Sequence, residues 1–146
     1  MNSIVLEVRV DARPETIFPL LTDPNRITSW IGTEASLDPR PGGVFDLLIG
    51  GEHRARGRFV EVVEPEYVVF TFGWDRPDNP IRPGSTTVRI ELLPEDDKTL
   101  VRLTHSGLPD AEAGEQHTAG WEHYLVRLGD TTSGKWVGPD TGPGGS

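Results

Sequence analysis

One change of hydrophobic period constrains this chain more than any other feature. From Val44 to His105 apolar residues recur at every second position, in run after run; from about Asp110 the repeat shifts to about 3.6. Upstream, Pro14 to Trp30 (PETIFPLLTDPNRITSW) reads as a pair of short helices, and Gly42-Gly43-Val44-Phe45 opens a strand. Short helices, antiparallel strands and one long helix describe a curved sheet closed over that helix. Such an arrangement tends to leave a cavity, so function becomes the question of what enters it.

The first strand covers residues 4–10, with Ile4, Leu6, Val8 and Val10 on one face. Pro14 suits a first helical position, where its missing N–H costs nothing. Ile17, Leu20 and Leu21 share a side of this helix, and Pro19 removes the bond to the Glu15 carbonyl and should kink or shorten it. Asp23-Pro24 restarts the chain as N-cap and first helical residue, and Trp30 should plug the angle between these helices and the sheet. Further strands are expected at 33–38, 44–49, 54–63, 67–74, 85–93 and 99–105. The Pro-rich stretch 75–84 is long for a hairpin loop and suits a rim or lid. His117, Trp121, Tyr124, Leu125 and Leu128 then share one helical face. The expected fold class is α+β: a curved antiparallel sheet of about six or seven strands around a long C-terminal helix. The domain is expected to span 1–130. Residues 131–146 read as a Gly/Pro-rich tail, disordered on composition, with Trp136 and Val137 as its only apolar groups able to dock back.

Composition narrows the function classes. A chain of 146 residues fits one domain with a normal core. Lys and Arg number 14 against 23 Asp and Glu, giving a net charge of −9 that repels phosphate backbones and argues against nucleic acid. The same charge favours a monomer or weak dimer. With no cysteine, disulfides and thiolate chemistry are excluded, and a reducing cytoplasm is the default compartment. No apolar stretch approaches the ~18 residues of a membrane span, and the N-terminus lacks the pattern of a signal peptide.

The run Pro14…Ile17-Phe18…Leu21-Thr22-Asp23-Pro24…Trp30 resembles the START-like, or helix-grip, superfamily (SRPBCC). So do Gly42-Gly43-Val44-Phe45, Gly57-Arg58-Phe59-Val60-Glu61-Val62 and Tyr67-Val68-Val69-Phe70-Thr71-Phe72. More narrowly, Leu103-Thr104-His105-Ser106-Gly107-Leu108 and Gly120-Trp121-Glu122…Leu125…Leu128 look like the branch named for the C-terminal domain of the activator of the heat-shock protein 90 ATPase. The resemblance covers roughly residues 4–129. It implies an antiparallel sheet gripping a long C-terminal helix, with two short helices at one end. It implies less about activity, since the superfamily includes lipid carriers, hormone receptors, polyketide cyclases and aromatases, and co-chaperone domains.

Among single residues, His105 should share an inward face with Val101 and Leu103, where it could orient a ligand or act as acid/base; a core histidine bonded to its surroundings is the favoured reading. His117 and His123 are six apart and so on different helix faces, which gives no metal signature. Arg54, Arg56 and Arg58 share a strand face that should meet solvent, because three buried arginines without matched anions would be costly; a bulge is then needed near Phe59. No Ser-His-Asp order, phosphate loop or paired carboxylates stand out, so neither catalytic residues nor a cofactor nor a metal is assigned, and the reading leans away from an enzyme. The expected function is binding of a small, mostly apolar or aromatic ligand between sheet and C-terminal helix. The wall candidates are Trp30, Phe45, Gly57, Phe70, Phe72, Trp74, His105, His117, Trp121 and Tyr124. A co-chaperone module with a chaperone partner is the alternative, and a polyketide cyclase- or aromatase-like enzyme using His105 the second.

Overall fold

The computed structural model describes residues 2–143. Strand β1 (Asn2–Val10) is followed by three single-turn helices, α1 (Pro14–Ile17), α2 (Pro19–Thr22) and α3 (Pro24–Ile27). Strands β2 (Glu34–Leu37), β3 (Val44–Ile49), β4 (His53–Val63), β5 (Tyr67–Phe72), β6 (Thr86–Glu95) and β7 (Lys98–Leu108) come next, and α4 (Ala111–Thr132) closes the fold. The sheet is antiparallel throughout, in the order β1-β7-β6-β5-β4-β3-β2. This is the α+β helix-grip architecture.

Proline chemistry divides the first helical region further than expected. Pro19 ends the run begun at Pro14, so the anticipated pair of helices is three turns meeting at Phe18 and Asp23. Asp23 caps the third turn, accepting the Asn25 N–H at 2.8 Å. Trp30 lies at the end of this region, 2% exposed, its indole N–H donating to the Leu20 carbonyl at 2.7 Å.

Alternation along the strands sends one face to the core. Val101, Leu103 and His105 on β7 and Val88 on β6 are fully buried, and Phe45, Phe59, Phe70 and Phe72 form a contiguous aromatic layer. The three arginines of β4 point outward: Arg54 and Arg56 share Asp46 at 2.5 and 3.1 Å, and Arg58 donates to the Gly42 carbonyl. The change of face that this requires occurs as a bulge, where the β4–β5 register shifts between Phe59 and Glu61.

Helix α4 starts at Asp110, whose carboxylate accepts the Ala113 N–H at 2.8 Å. It contains Gly114, Gly120 and Gly129, poor helix formers, so its stability rests on packing Trp121, Tyr124, Leu125 and Leu128 against the sheet. The helix continues through Thr132, two residues beyond the expected domain end. Of the expected tail, 131–146, the first two residues end α4, 133–143 fold back instead of leaving the surface, and 144–146 lie outside the described residues. Asp140 is 3% exposed and accepts from the N–H groups of Gly32, Gly50 and Gly142 at 2.8, 3.0 and 2.8 Å and from the Tyr124 hydroxyl. The Arg127 guanidinium donates to the carbonyls of Trp30, Val137 and Gly138. A side chain meeting several backbone groups explains why composition misjudged this segment: docking rests on two polar residues, while Trp136 remains 88% exposed.

Candidate functional site

Between α4, the end of β5 and the β5–β6 loop lies a cleft of about 490 Å³. Its apolar wall is Ile31, Ile49, Phe72, Trp74, Ile81 and Trp121, and Tyr124 and His117 complete it from the helix. Gly120 faces the space with no side chain of its own, and Pro143 of the folded-back segment closes one side. Arg76, His53, Asp110, Glu112 and Gln116 stand around the mouth.

Each part of this wall follows from local sequence. Alternation on β5 delivers Phe72, and Trp74 keeps the same phase past the strand end through a lone bridge to Ala55. Helical spacing brings His117, Trp121 and Tyr124 to one side of α4. Gly50-Gly51, both at positive φ, turn β3 tightly into β4, and their position leaves the Gly50 N–H free for Asp140.

The polar atoms of the wall are spent on one another. The Trp121 indole N–H donates to His105 Nδ1 at 3.0 Å. That nitrogen is therefore unprotonated, and Nε2–H donates to the Thr86 hydroxyl at 2.8 Å, whose own proton goes to the Phe72 carbonyl at 2.7 Å. The Trp74 indole N–H donates to His117 Nε2 at 3.1 Å, and His117 Nδ1–H donates to the Ala113 carbonyl at 2.8 Å. Two tryptophans thus hold two histidines as neutral imidazoles, with ring centroids 5.2 Å apart. Burial, with a smaller contribution from His117, pushes His105 down to about 3. Burial also lowers His117, outweighing the Ala113 carbonyl that favours its charged form. Tyr124 is raised well above the ordinary phenol value by burial and by Asp140. Burial pushes the Asp140 carboxyl up, but hydrogen bonds from Gly50, Gly142, Tyr124 and Gly32 outweigh it and leave it below its ordinary value.

Of the ten wall candidates, the structure brings Phe72, Trp74, His117, Trp121 and Tyr124 to the cleft. His105 sits immediately behind them, fully buried and in edge contact with Phe72, with neither nitrogen free for a ligand or for proton transfer. Phe45 and Phe70 stack at 3.9 Å in the core, and Trp30 is committed to Leu20; none of the three lines the cleft. Gly57 is corrected most sharply. A Cβ there would lie 1.8 Å from the Thr71 carbonyl oxygen, so this glycine allows two backbones to approach and has no view of the cleft. Sequence reasoning placed Arg76 at the rim, as an ion pair with Asp75, whereas Asp75 pairs with Arg56 and Arg76 approaches Asp78; it missed Ile31, Ile49, Ile81 and Gly120. An isolated glycine beside Trp121 in a helical pattern was the available signal for the last; the others sit in loops or at strand ends, where no period assigns a direction. Among the described residues no group of three or more His, Asp or Glu side chains could hold a metal ion, and no helix is long and apolar enough to cross a membrane.

The family described as Activator of Hsp90 ATPase homolog 1-like protein matches residues 11–132. The solution structure of an AHSA1-like protein from Rhizobium etli is 42% identical with a TM-score of 0.72, over 94% of this chain and 87% of that one. The crystal structure of CalU16 from Micromonospora echinospora is 29% identical with a TM-score of 0.70, over 90% of this chain and 76% of that one. An HSP90 activator from Plasmodium falciparum shares the fold at 24% identity and a TM-score of 0.72, over 90% and 96% of the two chains. No curated protein matches the chain.

Proposed function

The chain belongs to the Activator of Hsp90 ATPase homolog 1-like family, and on that premise we propose that it binds a small, largely apolar molecule in the cleft between sheet and α4. The observation that carries this reading is the aromatic wall with its polar atoms already paired. Trp74 and Trp121 border the space over the buried Phe72, while their indole N–H groups and the two imidazoles stay bonded within the protein. Such a wall gains free energy by shedding water onto a flat apolar guest and loses no hydrogen bond in doing so. About 490 Å³ suits a ligand of a few fused rings or a short acyl chain.

The paired imidazoles weigh against a cyclase-like reaction, because His105 has no free nitrogen to take or give a proton. The family description favours a second reading, an interaction module for a chaperone. Protein-observed NMR separates the two. Titration with fatty acids, flavonoids, sterols and polyketide-like aromatics should give saturable shifts of the Trp74 and Trp121 indole N–H signals. A folded spectrum that no compound moves, together with stimulation of a heat-shock protein 90 ATPase, would transfer the function to the interaction module.

A further inference from the structure

The same cleft carries an inference about ligand chemistry, which rests on the binding reading above. Its inner end and its mouth differ in kind. Inside, every polar side-chain atom of the wall has a partner within the protein, and among the described residues no buried side-chain nitrogen or oxygen lacks one. A hydroxyl or amine carried into that end would lose its water and find no replacement. The buried part of a ligand is therefore a plain ring system.

The arginines of β4, which lie outside the cleft, and the arginine at its mouth are not equivalent. Arg54 is held by Asp46 at 2.5 Å, and Arg56 by Asp46 and Asp75, each at 3.1 Å. Arg76 borders the cleft itself, and its side chain is 46% exposed. One arm meets His53 Nδ1 at 3.1 Å, and its carboxylate contact is a loose 3.6 Å approach from Asp78, which is 77% exposed. Such a contact is weak, so Arg76 retains donors and charge for a guest. His53 packs edge-on to Trp74 with centroids 6.3 Å apart, which sets the cation beside the aromatic floor. Two carboxylates also border the mouth, Glu112 and the α4 cap Asp110, and with Asp78 they oppose a guest's negative charge, so the pairing falls to the one guanidinium among them.

We propose that the cleft takes a planar aromatic carboxylate, with its rings against Trp74 and Trp121 and its carboxylate paired with the Arg76 guanidinium. A guanidinium presents two parallel N–H groups that match a carboxylate and anchor it at a fixed depth. The neighbouring wall then selects ring size, and the charge selects orientation.

The test uses three probes with one ring system: 2-naphthoate, its methyl ester and 2-naphthylmethylammonium, titrated by NMR and calorimetry. The wild-type protein should bind the acid about tenfold more tightly than the ester, with the cation weakest, and Trp74 and Trp121 indole signals should report all binding. In Arg76→Gln, an exposed change that leaves the fold intact, the acid-to-ester ratio should fall to near one. Equal affinities in the wild type, a preference for the cation, or an unchanged ratio in Arg76→Gln would overturn the carboxylate assignment while the cleft still binds. Failure of all three probes and of naphthalene itself would overturn the cleft reading, and the ligand class with it.

Discussion

The indole N–H of Trp121 meets Nδ1 of His105 at 3.0 Å, and this one bond fixes which imidazole nitrogen carries a proton at the centre of the sheet–helix interface. A second proton on that ring would break the bond and place a charge in the core. His105 consequently prefers its neutral form in the fold, down to about pH 3, while an unfolded chain protonates it near its ordinary value of 6.5.

The sign of the resulting pH dependence follows. Between these two values the unfolded chain binds more protons, so stability from neutral His105 is fully present above pH 6.5 and falls as pH drops toward 3. The cost should be about 1 kcal/mol per pH unit within that window. His117, lowered in the same direction, adds to it. Denaturant unfolding of the wild type and of His105→Gln from pH 7 to pH 4 checks this. The variant should start less stable and lose less on acidification; parallel curves would show that His105 does not titrate across unfolding.

Asp140 supports a separate prediction. Its carboxylate gathers the N–H groups of Gly32 and Gly50 and the Tyr124 hydroxyl from other parts of the chain, besides the local Gly142 N–H. Asp140→Ala should cost about 3 kcal/mol, because several donors are left buried and unpaired. Its pKa lies below the ordinary 3.8, so this stabilisation persists above pH 4 and is lost only as pH falls lower. Release of the segment should also speed tryptic cleavage at Lys135. Cleavage at the wild-type rate would mean that Asp140 does not hold it.

Gly57 separates a structural glycine from a binding one. With 1.8 Å between its hypothetical Cβ and the Thr71 oxygen, Gly57→Ala should destabilise the protein by about 3 kcal/mol or more. Loss of ligand binding in a larger variant such as Gly57→Leu would thus report a damaged sheet. A thermal melt of Gly57→Ala matching the wild type would contradict this close approach.

The parts of the fold legible in the sequence were those governed by a period. Alternation located the strands, and helical spacing put Trp121, Tyr124, Leu125 and Leu128 on one buried face. The change of face at Phe59 was legible too, because Arg54, Arg56 and Arg58 could not be buried without anions while Val60 and Val62 followed in the same phase. Phase also delivered Phe72 and Trp74 to the cleft. It could not separate them from Phe70, which shares their face two residues earlier but stacks on Phe45 in the core. Whether an inward residue meets space or another side chain depends on depth along the helix, which no strand pattern encodes. The folded-back segment was illegible for another reason. Asp140 and Arg127 act through backbone partners scattered along the chain, and a backbone carbonyl or N–H has no sequence signature.

Gly120 offers the most direct test of the cleft. A Cβ on this helical glycine would meet only Pro143 Cγ, at an ordinary 3.8 Å, so a larger side chain can enter the cleft without displacing backbone. Replacing an interior helical glycine should itself favour the helix by about 0.5–1 kcal/mol. The decisive measurement is therefore the naphthalene affinity of Gly120→Leu beside that of the wild type, with the melting temperature of each. Gly120→Leu should melt at an equal or higher temperature and bind naphthalene about tenfold or more weakly. A variant that melts as expected yet binds naphthalene as tightly as the wild type would show that the ligand does not occupy this cleft.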